Sequence, residues 1–124
     1  MKRYLMTALA LVVTATLASA WSSKNADRQK VVDDLKTAFA GETTASAKYT
    51  AYAGKARSEG LPKIALLFEA ASKAESIHAG NHKAALEQLG ESAPDVTPKY
   101  DVKTTKENLK DALLGNEPAW GEHE

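Results

Sequence analysis

The sequence predicts an all-α protein: an antiparallel helix hairpin followed by a short third helix. Three observations lead there. The chain is rich in Ala, Lys and Glu with few β-branched runs, which favours helix. Two long segments carry apolar residues at helical spacing, and each runs into a glycine. The first segment spans about Ala26 to Ser58, with Asn25 placed to cap its start and Gly60 to stop it. The second begins near Leu61-Pro62, where proline suits a first helical turn, and ends near Leu89 before Gly90. Only a few residues separate the two, so they should pack antiparallel. "ESAPDVTPKYDV" (91–102) then breaks the pattern with two prolines and reads as a loop. Thr104 or Thr105 can cap a last helix, "KENLKDALL", that Gly115 ends. Residues 117–124 show no periodicity and read as a flexible tail.

The chain has 124 residues, one domain at most. It opens with "MKRYLMTALALVVTATLASA": a basic lead (Lys2, Arg3), an uncharged and mostly apolar run, and a small-x-small cleavage site at Ala18-Ser19-Ala20. This is the three-part pattern of a secretory signal peptide over residues 1–20. The apolar run is shorter than the ~20 residues of a spanning helix, so no membrane anchor is expected to remain after cleavage. The expected location is periplasmic or secreted, and the helical domain proper is expected over residues 25–116. Without Lys2 and Arg3 the chain carries 14 basic against 16 acidic residues. Nothing in that balance attracts nucleic acid. There is no cysteine, so disulfides and thiolate metal sites are excluded, and carboxylate and imidazole are the available metal ligands.

With about 100° per residue, Val31, Phe39, Ser46, Tyr49 and Ala53 fall on the Leu35 side of the first helix, and Glu42 lies near the centre of that stripe. On the second helix, Phe68, Ala71, Leu86 and Leu89 share the Ile64 side, with Leu67 at its edge. Glu75, His78 and His82 lie on the same stripe. Asp34, Glu59, Glu69 and Glu87 fall on the polar flanks and read as solvated. A carboxylate in a dry core is costly unless paired. Arg28 and Arg57 share the angle of Glu42, but each lies roughly 20 Å along the axis, too far to pair. A bound dication resolves the conflict directly.

The spacing also suits a metal. Glu75 and His78 are three residues apart and reach one point from one helix. In carboxylate-bridged two-metal sites of four-helix bundles, two helices each give a Glu and the other two each give a Glu-x-x-His. This sequence supplies one of each, which is half a site. His82 is a spare ligand candidate or an edge-of-core residue. Gly41, beside Glu42, allows a close helix approach or is simply tolerated.

"AFAGETTASAKYTAYAGKARSEGL" followed by "IALLFEAASKAESIHAGNHKAALEQLG" resembles the N-terminal helix hairpin of the rubrerythrin family, of ferritin-like fold. The resemblance covers about residues 30–90, and weakly 104–116. It implies a non-haem di-iron site with Glu42, Glu75 and His78 as ligands, Tyr49 beside it, and reduction of hydrogen peroxide. The sequence departs from the family in three ways. Asn116 and Ala119 stand where ligand glutamates are expected, no second Glu-x-x-His follows, and Glu117 and His123 do not fit the spacing. The four-cysteine rubredoxin-like module that feeds electrons is absent, so a donor would be external. One echo bears on this: "LKTAFAGE" (35–42) resembles "LKDALLGN" (109–116), as if a second copy of the first helix began there.

Charge counting suggests a completion. Two copies of Glu42 and Glu75 give four negative charges, which two divalent ions balance. A homodimer of two hairpins would then form the four-helix bundle and the whole two-metal site. Iron follows from the resemblance, while manganese and zinc accept the same ligands. The functional expectation is an exported di-iron oxidoreductase of oxidative stress defence. The alternatives are a non-catalytic metal-buffering module and a degenerate structural half-domain.

Overall fold

The computed structural model describes residues 2–114, with side chains from residue 21 onward. Gly115, Asn116, Ala119 and the 117–124 tail lie outside the described residues, as do the side chains of the leader. The fold is all-α: α1 (Lys2–Ser58), α2 (Pro62–Gln88) and a short α3 (Thr105–Leu114). α1 and α2 pack as an antiparallel pair, and no strand occurs among the described residues. No helix searched among them is long and apolar enough to cross a membrane.

Both predicted glycine stops are present. Gly60 has φ 76° and Gly90 φ 73°. Gly60 N–H donates to the Arg57 carbonyl (3.0 Å) and Leu61 N–H to that of Ala56 (2.9 Å). Gly90 N–H and Glu91 N–H do the same to Glu87 (3.0 Å) and Leu86 (2.9 Å). These paired bonds satisfy the last carbonyls of each helix in a left-handed C-terminal cap. Pro62 opens α2, where its missing N–H is no loss. The predicted start of the first helix is corrected: α1 runs through Asn25 without a break. Asn25 N–H is therefore an interior helical donor, and no cap is needed there.

The α1 and α2 seam repeats three and four residues apart. On α1 it includes Val32, Tyr49, Ala53 and Ala56, all buried, with Glu42 and Ser46 half-buried between them. On α2 it includes Ala65, Phe68, Ser72, Ala79 and Leu86. This spacing averages 3.5 residues per turn, so the contact line drifts by about 20° per heptad relative to a straight helix. The drift corrects two expectations. Val32 is fully buried and Val31 is 50% exposed, and Leu67 is 60% exposed while Ala65 is fully buried. The stripe expected around Ile64 is therefore split. One side meets α1, and the other faces outward.

Residues 91–104 run as coil from one end of the hairpin to the other. Glu91 is held by Lys36 (3.2 Å) and Arg28 (3.6 Å) near the start of the hairpin. At the far end, Thr104 caps α3 through a reciprocal pair. Its hydroxyl accepts from Glu107 N–H (3.3 Å), and Glu107 Oε2 accepts from Thr104 N–H (3.2 Å). Of the two threonines the sequence allows, Thr104 is the cap. Glu59 is exposed, as expected, and also accepts the Thr105 N–H (3.0 Å), which seats α3. Asn108, 2% exposed, ties back to both backbone groups of Lys103.

Gly60→Ala should destabilise the protein by about 1 kcal/mol, because an L-residue resists positive φ even where, as here, its Cβ would meet nothing. Gly41→Ala should instead stabilise by up to about 1 kcal/mol, since a Cβ there also meets nothing and the backbone is helical. Thermal unfolding followed by circular dichroism checks both signs.

Candidate metal centre

Glu42 and Glu75 occupy seam positions one turn from a cluster of hydroxyls. Ser46 Oγ donates to the Ser72 carbonyl (3.0 Å), and Ser72 Oγ donates to the Ser46 carbonyl (2.8 Å). Thr50 Oγ1 lies 2.8 Å from Ser72 Oγ. Small side chains bonded reciprocally across the seam hold α1 and α2 close together. Four residues before Ser46 on α1 and three after Ser72 on α2, the same seam must accommodate two carboxylates.

The structure brings Glu42, Glu75 and His78 together. One ligand atom from each lies within 4.8 Å of the others. His78 Nδ1 sits 3.1 Å from Glu75 Oε2, as the three-residue spacing predicts. Glu42 and Glu75 are half-buried, and His78 is exposed at the margin. Two half-buried carboxyls side by side cannot both carry full charge without compensation. Glu42 is pushed up to about 7, first by its hydrogen bond with Glu75, then by burial and by the charge of Glu75; His78 opposes this. Glu75 is held below the usual carboxylate range by that same bond and, against burial, by His78. Below about pH 7 the metal-free pair therefore holds one proton, chiefly on Glu42. The distant arginines take no part. Arg57 pairs with Glu69, and Arg28 reaches Glu91 and the Leu89 carbonyl.

His82, half-buried one turn further along α2, is not part of the group. Tyr49, 6% exposed, stacks on Phe68 (centroids 6.1 Å) and shares a cleft wall with Glu75. That cleft, of about 210 Å³, runs between α2 and α3 and includes Leu67, Leu109 and Leu113. Periodicity on the first two helices missed a second polar group. Asp111 on α3 accepts from Lys48 Nζ (2.7 Å) and from the Tyr52 hydroxyl (2.9 Å). Lys48 first, then Tyr52, holds the Asp111 carboxyl below its usual range, and burial followed by Asp111 pushes the Tyr52 hydroxyl up. The sequence signal was present as opposite charges, but their partners lie 63 and 59 residues away.

Chemically, two carboxylates and one imidazole form a ligand set for a divalent first-row metal with positions left over. The donor set fits half of a carboxylate-bridged pair.

The family described as Rubrerythrin matches residues 33–119. The chain is similar to nigerythrin of Nitratidesulfovibrio vulgaris (strain Hildenborough), with 57% identity over 49 residues, 40% of this chain and 24% of that protein. It is also similar to rubrerythrin of Porphyromonas gingivalis (strain W83), with 32% identity over 98 residues, 79% of this chain and 49% of that protein. The chain thus spans no more than half the length of these curated relatives. No solved structure matches it significantly.

The shared proton sets an expected pH profile for the metal-free protein. A carboxyl whose folded pKa is raised stabilises the fold most below its unfolded value of 4.5, and that contribution is lost as pH rises through about 7. Glu75 acts oppositely: its contribution is present above the ordinary carboxylate value and lost on acidification. Glu42→Gln keeps a donor toward Glu75 and removes the first loss. Its Tm should exceed that of the parent by about 5 °C at pH 8 and by little at pH 5. Calorimetry at both pH values checks this.

Proposed function

The chain belongs to the rubrerythrin family, and from that premise we propose that it is an exported di-iron protein that reduces peroxide in oxidative stress defence. The observation that carries the reading is the convergence of Glu42, Glu75 and His78 within 4.8 Å on the seam of the hairpin. The two carboxyls have only a shared proton and one imidazole to offset them, and a dication in their place satisfies both.

Glu42 and Glu75 would hold the metal through their carboxylates and His78 through its imidazole. A second hairpin, supplied by another copy of the chain, brings the matching three ligands. When bound, the di-iron pair supplies the two electrons that cleave a peroxide O–O bond, and two protons complete two waters. Metal binding would displace the proton that Glu42 holds in the metal-free site. Tyr49 closes the wall beside Glu75 and excludes water from that side. Reduction of peroxide also needs an electron donor that returns the metals to the reduced state. The basic lead and apolar run of residues 1–20 support export.

The second reading is a metal-buffering module without turnover. It draws on the exposure of His78.

Anaerobic loading with ferrous iron, followed by peroxide, separates the two. The enzyme reading predicts rapid oxidation and repeated turnover with an added reductant, whereas tight binding with a single oxidation supports the buffer. Glu75→Ala with His78→Ala should weaken metal binding by more than about 100-fold, since both donors from one helix are lost. Unchanged binding in that variant would sink both readings.

A further inference from the structure

We propose that α3 is a displaceable occupant of the groove that the α1 of a second copy must enter to complete the metal site. Assembly of the site is then gated by release of α3. This rests on the metal reading above, and it concerns how the second half is admitted.

The first observation is the echo between 35–42 and 109–116. At a constant offset, Leu109 corresponds to Leu35, Ala112 to Ala38 and Leu114 to Ala40. α3 lies antiparallel to α1: its start is at Glu59, and Asp111 meets Lys48 and Tyr52 further down. An α1-like segment lying antiparallel on α1 is the relation a twofold axis would produce. By the same offset, Asn116 takes the place of Glu42. α3 therefore carries the opening of an α1 into the groove without its metal ligand. A partner's α1 in the same register would carry the partner's Glu42 just beyond the residue matching Leu114.

The second observation is what α3 covers. Leu109, Ala112 and Leu113 close one wall of a cleft whose other wall is Tyr49, Leu67 and Glu75. The ligand Glu75 is thus already part of the α3 groove, so α3 and a partner's helix compete for one surface. The surface accepts a sequence of the α1 type, and this chain itself carries one. That argues for a second copy as the occupant.

The third observation is how α3 is held. Leu113 and Leu114 at its end are 72% and 70% exposed. Its main ties are Glu59 to the Thr105 N–H and Asp111 to Lys48 and Tyr52, and the Asp111 side chain is itself 52% exposed. Ion pairs of that exposure hold weakly. On the outer side of α2, Leu66 and Ile77 are 61% and 55% exposed and supply apolar area for a partner's α2. Charge then closes the assembly: two copies of Glu42 and Glu75 offer four negative charges to two dications.

Sedimentation velocity on the full chain, with and without cobalt(II), tests this together with hydrogen exchange over 105–114. Leu109→Ala with Asp111→Ala loosens α3 and should lower the dimer Kd by about tenfold. In the parent, dimer formation should strip exchange protection from α3. A metal-loaded dimer whose α3 amides stay as protected as in the monomer would overturn the proposal. So would a monomer that binds two cobalt ions, and so would a double variant that raises the Kd. A dimer that exposes α3 but binds no cobalt would reject the metal reading, and with it the gating of a metal site, while showing that α3 is displaced by a second copy.

Discussion

Two carboxyl groups placed in the seam of a helix hairpin organise everything else in this structure. Glu42 and Glu75 occupy positions where neighbouring turns carry Tyr49, Phe68, Ser72 and Ala79. A side chain of that kind in that place demands compensation, and each nearby feature can be read as part of it. The shared proton satisfies the pair in the metal-free state below about pH 7. His78 adds a third donor from the next turn of α2. The reciprocal serine bonds bring the two backbones close enough for one cation to reach both carboxylates.

The open margin follows from the same geometry. A seam with a 3.5-residue repeat uses only part of the apolar surface of α2, and leaves Leu67 and Ile77 exposed beside the ligands. A four-helix bundle would cover such a surface, and the rubrerythrin relatives are at least twice as long as the part this chain matches. α3 covers one end of the hairpin only, with its Leu113 beside Glu75. The candidate metal group and the exposed apolar residues of α2 therefore lie on one face of the hairpin.

Much of this was legible in the residues. Gly60, Gly90 and Pro62 mark the helix ends because backbone sterics act locally, and the structure uses all three. Helical angle alone put Glu42, Glu75 and His78 on inward stripes, because a rotation of 100° per residue is accurate over a few turns. The errors arise where that regularity or locality fails. Val31 was favoured over Val32 because a straight-helix wheel ignores supercoiling, whose drift accumulates across heptads. Asn25 reads as a cap by residue type, yet the helix continues through it. Glu59 is exposed as read, but its bond to the Thr105 N–H is hidden because that partner is 46 residues away. Asp111, with partners on α1, is hidden for the same reason. His82 shows the limit of angle in the other direction: it is correctly inward, but one turn beyond the ligand group.

The central claim is that the inward carboxylates persist because a cation binds between them. Anomalous diffraction from crystals grown with ferrous or manganous salt tests it most directly. The account predicts a metal-specific peak within bonding distance of Glu42, Glu75 and His78. Carboxylates turned into solvent, with no anomalous density between the helices, would contradict it.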